Sequence, residues 1–304
     1  MYNRLRAIAE SQLMIDMEQI VLEILQTGML SFQSLNQLPC VASDCRLHQR
    51  RLKHQQLKYS GTINAFINAL DAVQYFHDEQ VWLSDNTEKF IQAVCQQFDY
   101  VGRDLQGFEN QEKKNQVRLT GYVIELINHY SQLLFVRVDL FYQRAGRETI
   151  GIGEFYQHKE KLLSLISNQD TCFSGLQGYA WALEQGGKTG SYHCHLLLIY
   201  DGKKRLNDWY LAQQVGLKWQ TITKNKGAFF NANTTEHKHN LSKHGLLGIG
   251  MIHRNNTKEV NNAIEAARYL VKPKKADQRL RVSLPGMRSF GTGQFKVSWR
   301  RGIK

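Results

Sequence analysis

Several features are missing from this 304-residue chain. No apolar run approaches the ~18 residues of a membrane span. The opening Met1-Tyr-Asn-Arg-Leu-Arg leads into acidic and polar residues, so a secretory signal is not expected. There is no C-x-x-C pair. The cysteines, Cys40, Cys45, Cys95, Cys172 and Cys194, are odd in number and scattered, which argues against a disulfide scaffold and suits a reducing cytoplasm. A phosphate-binding loop is also absent. Gly187-Lys188-Thr189 has the tail of one, but its first glycine would fall on Ala182, and a strand follows where a helix is needed. Neither an internal repeat nor a long low-complexity stretch is present. Membrane, secreted, disulfide-stapled and ATPase-motor classes are therefore not expected.

What is present is a globular composition, 42% hydrophobic and 22% charged, with a strong basic excess of +12. That excess is unevenly placed. Residues 1–110 hold 9 Lys/Arg against 13 Asp/Glu, whereas residues 269–304 hold 10 against 1. A mildly acidic first third thus precedes a basic remainder and a very basic tail. Polyanions are the first partners such a surface suggests, because Lys and Arg neutralise phosphates and release their counterions.

Apolar periodicity predicts helices over 4–26, 62–76, 87–98 and 111–130, the first carrying Leu5, Ile8, Leu13, Met17, Ile20, Val21, Ile24 and Leu25. The pattern then changes. Residues 133–142 (LLFVRVDLFY) alternate as a strand, with Leu134, Val136, Val138 and Leu140 on one face and Arg137 and Asp139 on the other. Further strands are expected at 176–184, 192–200, 247–253 and 294–299. Helices are expected at 154–168, 206–219 and 258–271, and the Asn-rich run 225–240 reads as a loop. An α+β fold with an antiparallel sheet follows. A helical N-terminal domain, residues 1–110, would precede a C-terminal domain, 111–304, with a boundary near Gly107–Gln111.

The chemistry concentrates on the 176–200 hairpin. His193 and His195 are two apart on a strand and so share a face, where two imidazoles can chelate one divalent ion. A tight turn would bring Glu184 alongside, and two His with one carboxylate leave open positions for water and substrate oxygens. His237 and His239 have the same spacing in a polar segment, and are expected to be solvated. A second signal is Tyr269-Leu-Val-Lys272-Pro273 at the end of a predicted helix. Pro273 should stop the helix, leaving Tyr269 in its last turn with Lys272 on the same face. Near a metal and a lysine, a tyrosine hydroxyl can attack a phosphodiester. Arg137 and Asp139 either line a DNA-binding face or pair with each other. Lys274, Lys275, Arg279 and Arg281 are the tail cations expected to contact DNA.

His193-Cys-His195 followed by Tyr269-Leu-Val-Lys272 resembles the HUH endonuclease superfamily of rolling-circle replication initiators. More narrowly, Phe135-Val-Arg-Val-Asp-Leu140, His193-Cys-His-Leu-Leu-Leu198, Gly248-Ile-Gly-Met251, Tyr269-Leu-Val-Lys272 and Arg288-Ser-Phe-Gly291 resemble the YagK/YfjJ C-terminal domain family, which is similar to inovirus replication proteins and occurs on prophages and phage satellites. The resemblance covers roughly residues 112–300. Cys194 departs from it, standing where a hydrophobic or aromatic residue is usual.

The resemblance implies an HUH-type domain with a central antiparallel sheet, preceded by an all-α domain. It implies metal-dependent nicking of single-stranded origin DNA in the cytoplasm, with Mg²⁺ or Mn²⁺ on His193, His195 and Glu184. Tyr269 would form a 5′-phosphotyrosyl link, Lys272 would neutralise phosphate charge, and a host helicase and polymerase would be partners. Pro273 stands four after Tyr269, so the site is of the one-tyrosine type. The alternative is a non-catalytic DNA-binding regulator derived from such an initiator.

Overall fold

Strict alternation along 132–142 produces the strand on which the sheet is assembled. The computed structural model describes residues 9–77, 80–147, 149–186, 190–271 and 278–295. In chain order the elements begin with α1 (Glu10–Thr27), α2 (Phe32–Leu52), β1 (Lys58–Tyr59), α3 (Gly61–Ala72), α4 (Ser84–Cys95) and α5 (Phe98–His129). There follow β2 (Gln132–Tyr142), the single turn α6 (Arg144–Arg147), α7 (Ile152–Ser167), β3 (Leu176–Gln185), β4 (Tyr192–Asp201) and α8 (Asp208–Ile222). The last are β5 (Gly227–Asn231), α9 (Thr235–Lys243), β6 (Gly250–His253), α10 (Thr257–Arg268), β7 (Val282–Ser283) and β8 (Phe290–Thr292). The fold is mixed α+β. No helix among the described residues is long and apolar enough to cross a membrane.

The main sheet has the order β5-β2-β4-β3-β8, and its strand pairs are antiparallel. One edge of β2 is shared: β6 pairs with residues 132–135 and β5 with residues 138–142. Between them the ladder is completed by a side chain. The buried Asn233 amide accepts from Arg137 N at 3.3 Å and donates to Arg137 O at 2.8 Å. Asn231 in turn accepts from Asn233 N at 2.9 Å. The Asn-rich run expected to be a loop therefore forms β5 and α9, and its asparagines supply the backbone partners a sheet edge lacks there.

Alternation divides the sheet into two faces. Leu134, Val136, Val138, Leu140, Leu196 and Leu198 bury one face in a cluster that includes Met17 of α1, Phe66 of α3, Phe155 of α7 and Val215 of α8. The N-terminal helices thus share a core with the sheet. Leu133, Phe135, Leu197 and Ile199 bury the other face against Leu119, Val123 and Leu126 of α5 and Ala263 and Ala267 of α10. The boundary expected at Gly107–Gln111 falls inside α5, which runs unbroken for 32 residues. The first 110 residues are also not wholly helical, because β1 pairs with β7 from the far end of the chain. Of the strand expected at 294–299, Gln294 and Phe295 are irregular and the rest lies outside the described residues.

The same tail overturns one expected role. Arg279 and Arg281 are not surface cations: they are 5% and 2% exposed and both bind Glu18 of α1, with Nη2–Oε distances of 2.9 and 2.6 Å. Thr62 donates to Glu18 at 3.1 Å, and Arg281 N donates to Gln185 Oε1 at 3.0 Å. Burial of an arginine requires a paired carboxylate, and Glu18, over 260 positions earlier, supplies it. These two arginines therefore fasten the tail to α1 and to the end of β3. Removing Glu18 strands two buried guanidiniums, so Glu18→Ala should lower unfolding free energy by about 3–5 kcal/mol in urea titration. An unchanged midpoint would exclude this ion-paired clamp.

Candidate active site

The second sheet face is apolar only part of the way. On that same face alternation places Arg137 and Asp139 of β2, Glu184 of β3, and His193 and His195 of β4, with His195 buried and the others partly exposed. Their register places Asp139 opposite His195, and Glu184 opposite His193. The hairpin thus brings the expected carboxylate beside the histidine pair.

His195 is the centre of this group and is 8% exposed. Its Nδ1 lies 2.7 Å from Asp139 Oδ1, and its Nε2 lies 3.0 Å from Glu184 Oε2. Burial disfavours the imidazolium, but hydrogen bonds to the two carboxylates outweigh it, so the pKa is raised. For Asp139, burial pushes the carboxyl up, while His195 and Arg137 hold it well below the usual carboxylate range. The His193 ring is centred 6.4 Å from the His195 ring and 5.9 Å from that of Phe141. Cys194 points into the opposite core, and burial pushes its thiol up to about 12. It acts there as a small apolar residue.

Arg137 and Asp139 pair, with Nε–Oδ1 and Nη2–Oδ2 distances of 3.2 and 3.3 Å. Arg137 also reaches Tyr269, its guanidinium carbon standing 5.2 Å from the ring centroid. Of the two readings of this Arg–Asp pair, the pairing is what the geometry shows, while Arg137 keeps its other face on Tyr269.

Tyr269 is the C-cap of α10, with φ −65° and ψ −22°. The helix begins at Asn256, whose side chain accepts from Glu259 N. Ala263 and Ala267, four apart, bury its inner stripe. Leu270 and Val271 are buried immediately after Tyr269, and Arg268 Nε bonds Thr120 Oγ1 of α5 at 3.1 Å. The neighbours are thus anchored, and the tyrosine ring is left 42% exposed. Lys272, Lys274 and Lys275 lie outside the described residues, as does the turn 187–189.

One residue that the spacing argument set aside is near this site. A cavity of about 540 Å³ opens beside Tyr269, with Arg137, Asp139, Phe230 and His237 among its walls. His237 is not in a solvated loop. It lies on α9, whose N-cap Thr234 accepts from His237 N, and its ring meets Phe230 edge-on at 5.3 Å. His239 is on the same helix and exposed. Only the apolar residues on both sides of this polar run carried a signal for α9, and they are too few for a period.

Among the described residues, no three His, Cys, Asp or Glu side chains already stand in the mutual geometry of a metal site. The donor chemistry nevertheless suits a divalent ion. Asp139 occupies Nδ1 of His195, fixing the ring so that Nε2 faces Glu184, and a carboxylate behind a histidine is the usual support of a metal ligand. No family model, curated protein or solved structure matches the chain.

Proposed function

We propose that this chain is a single-strand DNA endonuclease of the one-tyrosine HUH replication-initiator type. The reading rests most on one observation: Tyr269, on a helix end, meets Arg137 of the sheet face that also bears Asp139, His195, Glu184 and His193. These residues come from four elements spread over more than 130 positions, and a helix tyrosine packed for stability alone needs none of them.

In this reading His193, His195 and Glu184 would hold Mg²⁺ or Mn²⁺, and the chemistry the ion would supply there is Lewis-acid polarisation of a phosphate oxygen. Asp139 keeps the His195 ring in register. The Tyr269 hydroxyl attacks phosphorus and gives up its proton. A bond forms between Oη and the 5′ phosphate, the P–O3′ bond breaks, and the departing oxygen takes a proton to become a free 3′-OH. Arg137, against the Tyr269 ring, would be a fixed cation beside the charge developing on the phosphate. The 3′-OH would prime a host polymerase in rolling-circle replication of a phage, satellite or prophage element, with a host helicase opening the duplex. The N-terminal helices would recognise the origin, dimerise or receive a partner.

The direct test incubates the protein with single-stranded origin DNA and Mn²⁺ and looks for a covalent adduct on a denaturing gel. Glu184→Gln supplies a graded version. It removes charge but little volume, so the Mn²⁺ needed for half-maximal nicking should rise about 10- to 100-fold, while DNA affinity in EDTA stays the same. A normal metal requirement in this variant would remove Glu184 from the ligand set.

A further inference from the structure

The cavity beside Tyr269 is larger than tyrosine attack on a phosphate requires, and its lining is mostly apolar. Phe230, His237, Leu241, Leu246, Ile249 and Tyr269 are among its lining residues. At about 540 Å³ it falls within the range of small-molecule sites. Its construction is unusual for a core region. α9 has no fully buried residue, and it is held by a 2.7 Å ion pair from Lys238 to Asp208. Leu241 therefore faces the cavity instead of the main core, and Phe230, on edge strand β5, keeps 43% exposure with its ring set edge-on against His237.

We propose that this cavity receives one unpaired nucleobase of the bound single strand, next to the scissile phosphate, and that the Phe230 ring is its stacking platform, braced edge-on by His237. The inference rests on the nickase reading, whose reactive residues Tyr269, Arg137 and Asp139 are also walls of the cavity. The occupant must therefore be continuous with whatever Tyr269 attacks. A base is flat and apolar on its faces and polar along its edge. Phe230 suits a face, while Arg137 and the Glu265 carboxylate, also on the lining, suit donors and acceptors at the edge. α9 also presents Lys243, exposed and of the right sign to follow the phosphates. Every base has a π face, so stacking supplies affinity, and the polar edge groups supply preference at one position.

The test separates this site from cleavage by working in EDTA. The full chain is titrated with two labelled single strands, one of mixed sequence and about 20 nucleotides and one of equal length whose sugars carry no bases. Phe230→Ala should weaken binding of the base-bearing strand about tenfold and leave the abasic strand almost unchanged, and Phe230→Tyr should bind as the parent does. Equal losses on both strands, no loss on either, or a parent protein indifferent to bases would each overturn the proposal. Adduct formation with Mn²⁺ is scored separately. A parent that forms adducts while Phe230→Ala shows no base-dependent loss removes the base pocket and keeps the nickase. A base-dependent loss without any adduct removes the nickase and keeps the pocket.

Discussion

Replacing Tyr269 with Phe should abolish the covalent protein–DNA adduct and single-strand nicking, with DNA affinity within about twofold of the parent. Only the hydroxyl oxygen is lost. The ring that Arg137 covers at 5.2 Å remains, and its anchors Leu270 and Val271 are untouched. A nucleophile has no substitute, so the loss should be complete within detection, beyond the ~10²–10⁴-fold cost of removing an acid or base. Gel analysis of the adduct, with anisotropy for binding, checks both halves. An adduct persisting in Tyr269→Phe would move the nucleophile elsewhere. Tyr192 and Tyr200, fully buried, and the partly buried Tyr179 would then be the tyrosines nearest the hairpin, although burial pushes the Tyr192 and Tyr200 hydroxyls up and makes them poor nucleophiles.

The second large effect is expected at His195. His195→Ala removes the residue that both carboxylates address, leaving Asp139 and Glu184 without their shared partner. Metal-dependent nicking should fall at least about 100-fold, more than for a supporting residue, because a ligand itself is lost. Asp139→Asn is the informative companion. It keeps the shape but not the charge, so the metal requirement should rise about 10- to 100-fold while nicking at saturating Mn²⁺ recovers. A purely structural Asp139 would instead lower thermal stability and leave the metal titration unchanged. If His195→Ala nicked with an ordinary metal dependence, the proposed centre would be wrong whatever the fate of Tyr269.

The strand over 133–142, the hairpin that follows and the helix ending at Tyr269 were legible because each rests on a local period. Alternation alone placed Arg137 and Asp139 opposite the apolar residues of β2, and placed His193 and His195 together. Turn spacing was enough to bring Glu184 beside them. Local period could not show that Asp139 would bond the buried His195, since the register of β2 against β4 is set by two segments more than fifty residues apart. Nor could it find α2, whose 21 residues include Pro39 and bury only a few side chains.

Composition and local pattern by themselves determined a basic, mixed α+β chain, the main strands and helices of its second half, and which residue types could do chemistry. Tertiary structure decided which charges are available for it. Arg279 and Arg281 look identical to surface cations in sequence, yet Glu18 draws them inside, because a guanidinium enters a core only where a carboxylate from elsewhere in the chain waits for it. His237 looks like a loop residue, yet α9 sets it against Phe230 beside Tyr269. Local patterns report the faces of an element, and whether a face meets core, solvent or a partner depends on contacts between residues that sequence distance keeps apart.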